Sequence, residues 1–128
     1  SKDHPFAGRP YLHVSDLRDQ HFILREKGSG TRAIFEAVMD AQHIPYDIKW
    51  ESSSTPAILD AVSRNLGLGF VSERCATGKV DAGILFQCPV PEIDSERFFY
   101  LCYNSTHPMT SQMKDFSDYI CSLPKDFN

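Results

Sequence analysis

The spacing of apolar and polar positions changes repeatedly along the chain, and each change predicts an element. Val14 to Asp19 fits a single helical turn capped by Ser15. Phe22 to Arg25 opens with an unbroken apolar run, the pattern of a buried strand. Over Thr31–Gln42, Ile34, Phe35, Val38, Met39 and Ala41 recur at helical spacing, with Glu36 and Asp40 between them. His43-Ile44-Pro45 ends that helix, because proline disfavours helical geometry in the residue before it. Tyr46, Ile48 and Trp50 then alternate with Asp47, Lys49 and Glu51, a half-buried strand.

Ser52-Ser53-Ser54-Thr55-Pro56 predicts a helix start: hydroxyl caps, then proline near the first helical position. The helix is expected over Ala57–Leu66, with Ile58, Ala61, Val62 and Leu66 inward and Gly67 as its stop. Leu68 to Val71 reads as a short strand, Ser72 to Ala76 as helical, and Val80 to Gln87 as another strand ended by Pro89 and Pro91. An aromatic-rich strand is expected over Arg97–Tyr103. An amphipathic helix follows over Ser111–Leu123, presenting Met113, Phe116, Ile120 and Leu123 on one face.

Strand–helix–strand–helix–strand order predicts an α/β fold with a largely parallel sheet flanked by helices. Ligands of such sheets bind beyond the carboxyl ends of the strands. Two loops, 26–31 and 51–55, lie at strand carboxyl ends and open helices, so two helix N-termini should face one crevice. Gly28-Ser29-Gly30-Thr31 and Ser52-Ser53-Ser54-Thr55 supply hydroxyls and backbone N–H groups there, suited to a small anion or polar ligand. A turn plus helix caps explains each loop equally well when it is taken alone. Arg25 and Glu26 either set the charge of the crevice or form a solvated strand end. Arg32, in the first helical turn, opposes the helix dipole and reads as half of a surface ion pair. Gly67-Leu68-Gly69 precedes a strand rather than following one, so its glycines are read as ending a helix and letting it pack closely on the sheet.

Composition narrows the chemistry. The 128 residues carry a net charge of −4 with 41% apolar residues, the profile of one soluble globular domain. No basic cluster suits a nucleic-acid backbone, so these residues are not expected to grip DNA themselves. No apolar stretch approaches the ~20 residues of a membrane span, and the start does not read as a signal peptide. Cys75, Cys88, Cys102 and Cys121 show no paired spacing and are read as reduced thiols. The histidines form no metal-binding pattern, and neither a phosphate-binding lysine loop nor a nucleophile elbow occurs. No metal, cofactor or enzymatic activity is expected.

His4-Pro5-Phe6-Ala7-Gly8-Arg9, Phe22-Ile23-Leu24-Arg25-Glu26-Lys27-Gly28-Ser29-Gly30-Thr31-Arg32, the Ser52–Thr55 helix start and Asn65-Leu66-Gly67-Leu68-Gly69-Phe70-Val71 occur in order across nearly the whole chain. As an ordered set they resemble the C-terminal part of LysR-type transcriptional regulators. That resemblance implies a type 2 periplasmic-binding-protein-like fold and a cytoplasmic bacterial regulator. Residues 1–96 would form the second effector-binding subdomain. Residues 97–128 would supply the return crossover strand and the last helix of a first subdomain whose main part is absent, as are the winged helix-turn-helix and linker helix. The effector would be a small metabolite, often a carboxylate or other small anion, although Glu26 equally suits an amine. Carried over position by position, its binding residues would be Arg25, Glu26, Ser29, Thr31, Ser52, Ser53, Ser54, Phe70 and Val71, the last two forming an apolar wall. DNA would be bound only through the absent winged helix. A homo-oligomer pairing through residues 97–123 is expected. The alternative is a solute-binding module serving a transporter.

Overall fold

The apolar run Phe22-Ile23-Leu24 lies at the centre of β1 (His21–Arg25), the middle strand of a three-stranded parallel sheet. The computed structural model describes residues 1–94 and 100–123, which fall into two units divided between Ser95 and Glu96. In the first unit, β1 is followed by α1 (Gly30–Ala41), β2 (Asp47–Ser52), α2 (Thr55–Ser63), β3 (Leu68–Gly69) and α3 (Glu73–Asp81). The sheet order is β2-β1-β3. A strand with neighbours on both sides and helices on both faces must be apolar in both directions. Phe22 and Leu24 accordingly enter one cluster with Phe35, Met39, Val14 and Leu17. Ile23 enters another with Ile58, Leu59, Ala61, Val62 and Leu85. The Phe22 and Phe35 rings sit 4.7 Å apart, tying the sheet to α1.

Several expectations are corrected in detail. The turn at Val14–Leu17 is a 3-10 helix preceded by His13; the cap is Asp16, whose carboxylate accepts the His13 N–H at 2.8 Å, rather than Ser15. Ala41 is exposed, because the buried stripe of α1 runs through Arg32, Phe35 and Met39. In β2, Ile48 pairs with Phe22 but Trp50 with Ile23, so Lys49 is an extra residue that breaks the alternation. Trp50 remains 47% exposed as a result. α2 begins at Thr55 and ends at Ser63, leaving Leu66 59% exposed beyond it.

The left-handed residue after α2 is Asn65 (φ 57°), not Gly67. Gly67 instead permits close approach: a Cβ there would lie 2.8 Å from the His21 carbonyl oxygen. At Gly69 a Cβ would lie 2.9 Å from Val62 Cγ2, so the expected packing of α2 on the sheet does rest on a glycine.

The strand expected over Val80–Gln87 does not form. Val80 belongs to α3, Gly83 turns the chain at φ 67°, and Leu85 alone of this run is buried, plugging the second cluster. Only amphipathic packing of Ala76 and Val80 was needed at this point, which a helix supplies.

In the second unit, α4 (Ser111–Ser122) starts at Thr110, whose hydroxyl accepts the Met113 N–H at 3.3 Å. Met113, Phe116 and Ile120 are exposed. Of the strand expected over 97–103, residues 97–99 lie outside the described residues and 100–103 adopt no regular structure.

A crowded glycine and an open one make opposite predictions. Gly67→Ala is expected to lower stability by about 1–3 kcal/mol, because the methyl meets backbone that cannot yield. Gly78→Ala, in open space within α3, is expected to raise it by about 0.5–1 kcal/mol. Urea unfolding midpoints of the two variants check both signs.

Candidate functional site

Parallel pairing brings the carboxyl ends of the strands level. Arg25 at the end of β1 is the register partner of Ser52 at the end of β2, and Phe70 and Val71 continue from β3 beside them. Each chain then turns into a helix. Gly28 adopts φ 92°, the Ser29 N–H donates to the Glu26 carbonyl at 3.2 Å, and Ser29 becomes the N-cap of α1. Its hydroxyl makes no capping bond. Ser52 Oγ accepts the Ser54 N–H at 3.1 Å, and Ser54 Oγ accepts the Ala57 N–H at 3.4 Å at the head of α2. Ser53, between them, is exposed. Thr31 lies half-buried in the first turn of α1. The carboxyl edge of the sheet therefore carries two helix N-termini with their positive dipole ends and a row of hydroxyls.

Arg25 supplies a formal charge. Its Nε and Nη2 donate to the two Glu26 carboxylate oxygens at 2.8 and 3.0 Å, while Nη1 reaches Thr55 Oγ1 in the first turn of α2 at 3.4 Å. Hydrogen bonding to Arg25 holds the Glu26 carboxyl below its ordinary value. The same bonds to Glu26 push the Arg25 guanidinium up.

Arg32 is not the surface ion pair expected from its place in the helix: it is 4% exposed. Its Nε donates to Glu36 Oε1 at 2.7 Å, and its Nη1 to Glu51 Oε2 at 2.6 Å and to the Arg25 carbonyl at 3.1 Å. Hydrogen bonds to Glu36 and then Glu51 push its guanidinium further up, so the charge is permanent. One side chain thus ties the first turn of α1 to the last residues of β1 and β2.

Phe70 packs with its ring 5.7 Å from that of Phe35 on the first cluster, and Val71 packs on the second. They bracket the sheet edge on opposite faces. Of the anticipated residues, bonds or register join Arg25, Glu26, Ser29, Ser52 and Ser54. Thr31 and Ser53 join them by position in the same two loops. Phe70 and Val71 stand on the adjoining strand end. Sequence reasoning missed Thr55 as the acceptor for Arg25, and Glu36 and Glu51 as partners of Arg32. The i to i+4 spacing of Arg32 and Glu36 was the available signal.

Among the described residues no group of three or more His, Cys, Asp or Glu is arranged to hold a metal ion, and Cys75, Cys88, Cys102 and Cys121 are free. A shallow depression lined by Met39, Asp40, His43, Ile44, Pro45 and Tyr46 lies at the far end of α1 from these loops. No helix among the described residues is long and apolar enough to cross a membrane.

Residues 1–122 match the family described as the LysR substrate binding domain. The chain is 31% identical over 124 residues to an uncharacterized HTH-type transcriptional regulator of Methanocaldococcus jannaschii, covering 94% of this chain and 42% of that protein. It is 29% identical over 124 residues to the RuBisCO operon transcriptional regulator of Acidithiobacillus ferrooxidans, covering 97% of this chain and 40% of that protein. Among solved structures, the regulatory domain of Synechocystis CcmR in complex with 2-PG superposes with a TM-score of 0.85 at 25% identity, covering 98% of this chain and 61% of that one. The effector binding domain of QuiR in complex with shikimate superposes at 0.80 with 20% identity, covering 93% and 56%, and shows the same fold. The chain spans about two-fifths of the length of these curated relatives.

Arg32→Met is expected to lower stability by about 1–3 kcal/mol, since the part-buried Arg25 carbonyl loses this donor and no new charge is stranded in the core. Arg32→Lys should recover only part of the loss, because an ammonium is a point charge rather than a fork. Chemical denaturation of both variants measures the difference. Glu26 binds fewer protons folded than unfolded. Its contribution is therefore complete above its ordinary value of 4.5 and fades as pH falls through the lower folded value. Glu26→Gln should flatten the acid limb of the stability–pH curve, a small effect for so exposed a pair.

Proposed function

The chain belongs to the LysR substrate-binding-domain family, and on that premise we propose that it is the small-metabolite-sensing part of a LysR-type transcriptional regulator. The observation that carries this reading is the convergence, at one sheet edge, of the α1 and α2 N-termini with Arg25 and the hydroxyls of the two loops. A small molecule bearing acceptor oxygens fits such a donor-rich edge. Arg25, Glu26, Ser29, Thr31, Ser52, Ser53 and Ser54 are proposed as its contacts, with Phe70 and Val71 as apolar flanks.

In this reading residues 1–96 form the second effector-binding subdomain, and residues 97–128 supply a return crossover and the last helix of the first. Effector binding favours one of two arrangements of the regulator, and so changes how its DNA-binding heads engage DNA. DNA contact itself is assigned to segments outside these residues, and the work is binding rather than turnover, carried out in the cytoplasm. The named relatives are transcriptional regulators, which favours this role over solute delivery to a transporter.

The exposed Met113, Phe116 and Ile120 of α4 support association with a second copy. Sedimentation should show a dimer, and a monodisperse monomer would count against that association. For the site, a thermal-shift screen of small acids, 2-PG among them, against the complete effector domain should yield a stabilising ligand. Thr31→Ala combined with Ser53→Ala should then weaken it about tenfold or more. Unchanged affinity in that double variant refutes the assignment of the two loops.

A further inference from the structure

Two arginines meet at the sheet edge, where Arg32 Nη1 donates to the Arg25 carbonyl, and they are held in opposite ways. Arg32 is 4% exposed and fixed by acceptors from α1, β1 and β2. The Arg25 side chain is 28% exposed, and its chief partner is the neighbouring Glu26, itself 40% exposed. We propose that Glu26 is an internal competitor for the effector. It occupies the guanidinium fork of Arg25 that an anionic ligand, a carboxylate or phosphate, takes when it binds. Arg25 is then the anchor of the ligand, and Glu26 sets the threshold an anion must overcome. This rests on the effector-site reading above and specifies the class of ligand.

The geometry of the pair is that of a ligand contact. Two Arg25 nitrogens meet the two Glu26 oxygens at 2.8 and 3.0 Å, the parallel fork by which arginine takes up carboxylates and phosphates. The third contact is decisive. Nη1 reaches Thr55 Oγ1 at 3.4 Å, which sets a cation beside the first turn of α2, where the helix dipole is already positive. A guanidinium and a helix N-terminus brought together favour a negative partner. Here Glu26 fills that role.

Exchange is inexpensive. Exposed ion pairs contribute little net stability, because water solvates the released carboxylate almost as well. Glu26 is outside β1 and can turn into solvent while Arg25 stays on Thr55. An incoming anion meets the same fork, and in the loop that follows Glu26 lies Ser29, the N-cap of α1, whose hydroxyl makes no capping bond. A cationic ligand would need the reverse arrangement, a carboxylate not already engaged.

The test is an NMR titration of the complete effector domain with 2-PG and, separately, with inorganic phosphate, comparing wild type with Glu26→Gln, Arg25→Gln, the Thr31→Ala and Ser53→Ala double variant, and Asp81→Asn. Asp81→Asn removes the same charge at the far end of α3 and controls for net charge. Glu26→Gln should bind both anions about two- to fivefold more tightly, Arg25→Gln more weakly, and Asp81→Asn like wild type. On saturating the wild type, the Arg25 Nε–H resonance should shift and the Glu26 carboxyl should return toward its ordinary titration range. Unchanged or weaker binding by Glu26→Gln overturns the competitor role. If Arg25→Gln and the double variant still weaken binding in that case, the effector site stands without it. If no variant alters 2-PG affinity, or neither anion binds any of them, the anion assignment fails as well.

Discussion

Everything at the carboxyl edge of the sheet depends on holding the Arg32 guanidinium in place with almost no water around it. A charge taken out of solvent destabilises the fold unless its donors are matched. Here the matching acceptors come from three different elements: the Glu36 carboxylate on α1, the Arg25 carbonyl of β1 and the Glu51 carboxylate of β2. Because each bond has a fixed direction, the three elements cannot slide independently. The two loops that follow β1 and β2 inherit that registration, and with it the positions of Ser29, Ser52 and Ser54. A lysine could satisfy the charge but not the fork.

The other side of the sheet is set by the absence of side chains. β3 contributes only Leu68 and Gly69 to pairing with β1. Two residues of ladder are weak, and the contact gains its strength from proximity instead: Gly67 lets the backbone close on His21, and Gly69 lets Val62 of α2 close on the strand. Residues beyond α3 complete the enclosure without forming a strand. Leu85 seals the cluster on the α2 side, and Cys88, Val90 and Ile93 pack on the α1 side.

Periodicity was a good guide wherever one physical demand acted alone. The β1 run, the α1 stripe through Phe35 and Met39, and the Ser54-Thr55-Pro56 helix start all follow from burial or capping, and all are present. It failed where a longer-range contact intervened. Trp50 fits an alternating strand, but a bulge opposite Phe22–Ile23 that nothing local encodes changes its phase. Val80–Gln87 has the apolar content of a strand, yet its only deep contact is Leu85, which any backbone could deliver. The candidate site divides in the same manner. Its loops and hydroxyls are visible as local helix-start chemistry. The burial of Arg32 and the reach of Arg25 to Thr55 depend on which strands lie side by side, and the chain order does not state that until the sheet is assembled.

The sheet order also fixes when the fold can form. Of the three strands the central one comes first in the chain, and both of its neighbours lie far along it: Phe22 pairs with Ile48 on one side and with Leu68 on the other. No local hairpin can shelter it in the meantime. Every native ladder bond requires closing a loop that contains a whole helix, so assembly is slow and the sheet forms nearly all at once. During synthesis the apolar His21–Arg25 segment leaves the ribosome before either of its sheet partners, the residues of β2 and β3. Over that interval its flanking charges, Arg18 and Asp19 before it and Arg25, Glu26 and Lys27 after it, act as gatekeepers against pairing with another nascent chain. The residues at the edge of the proposed site would thus protect the chain before the site exists.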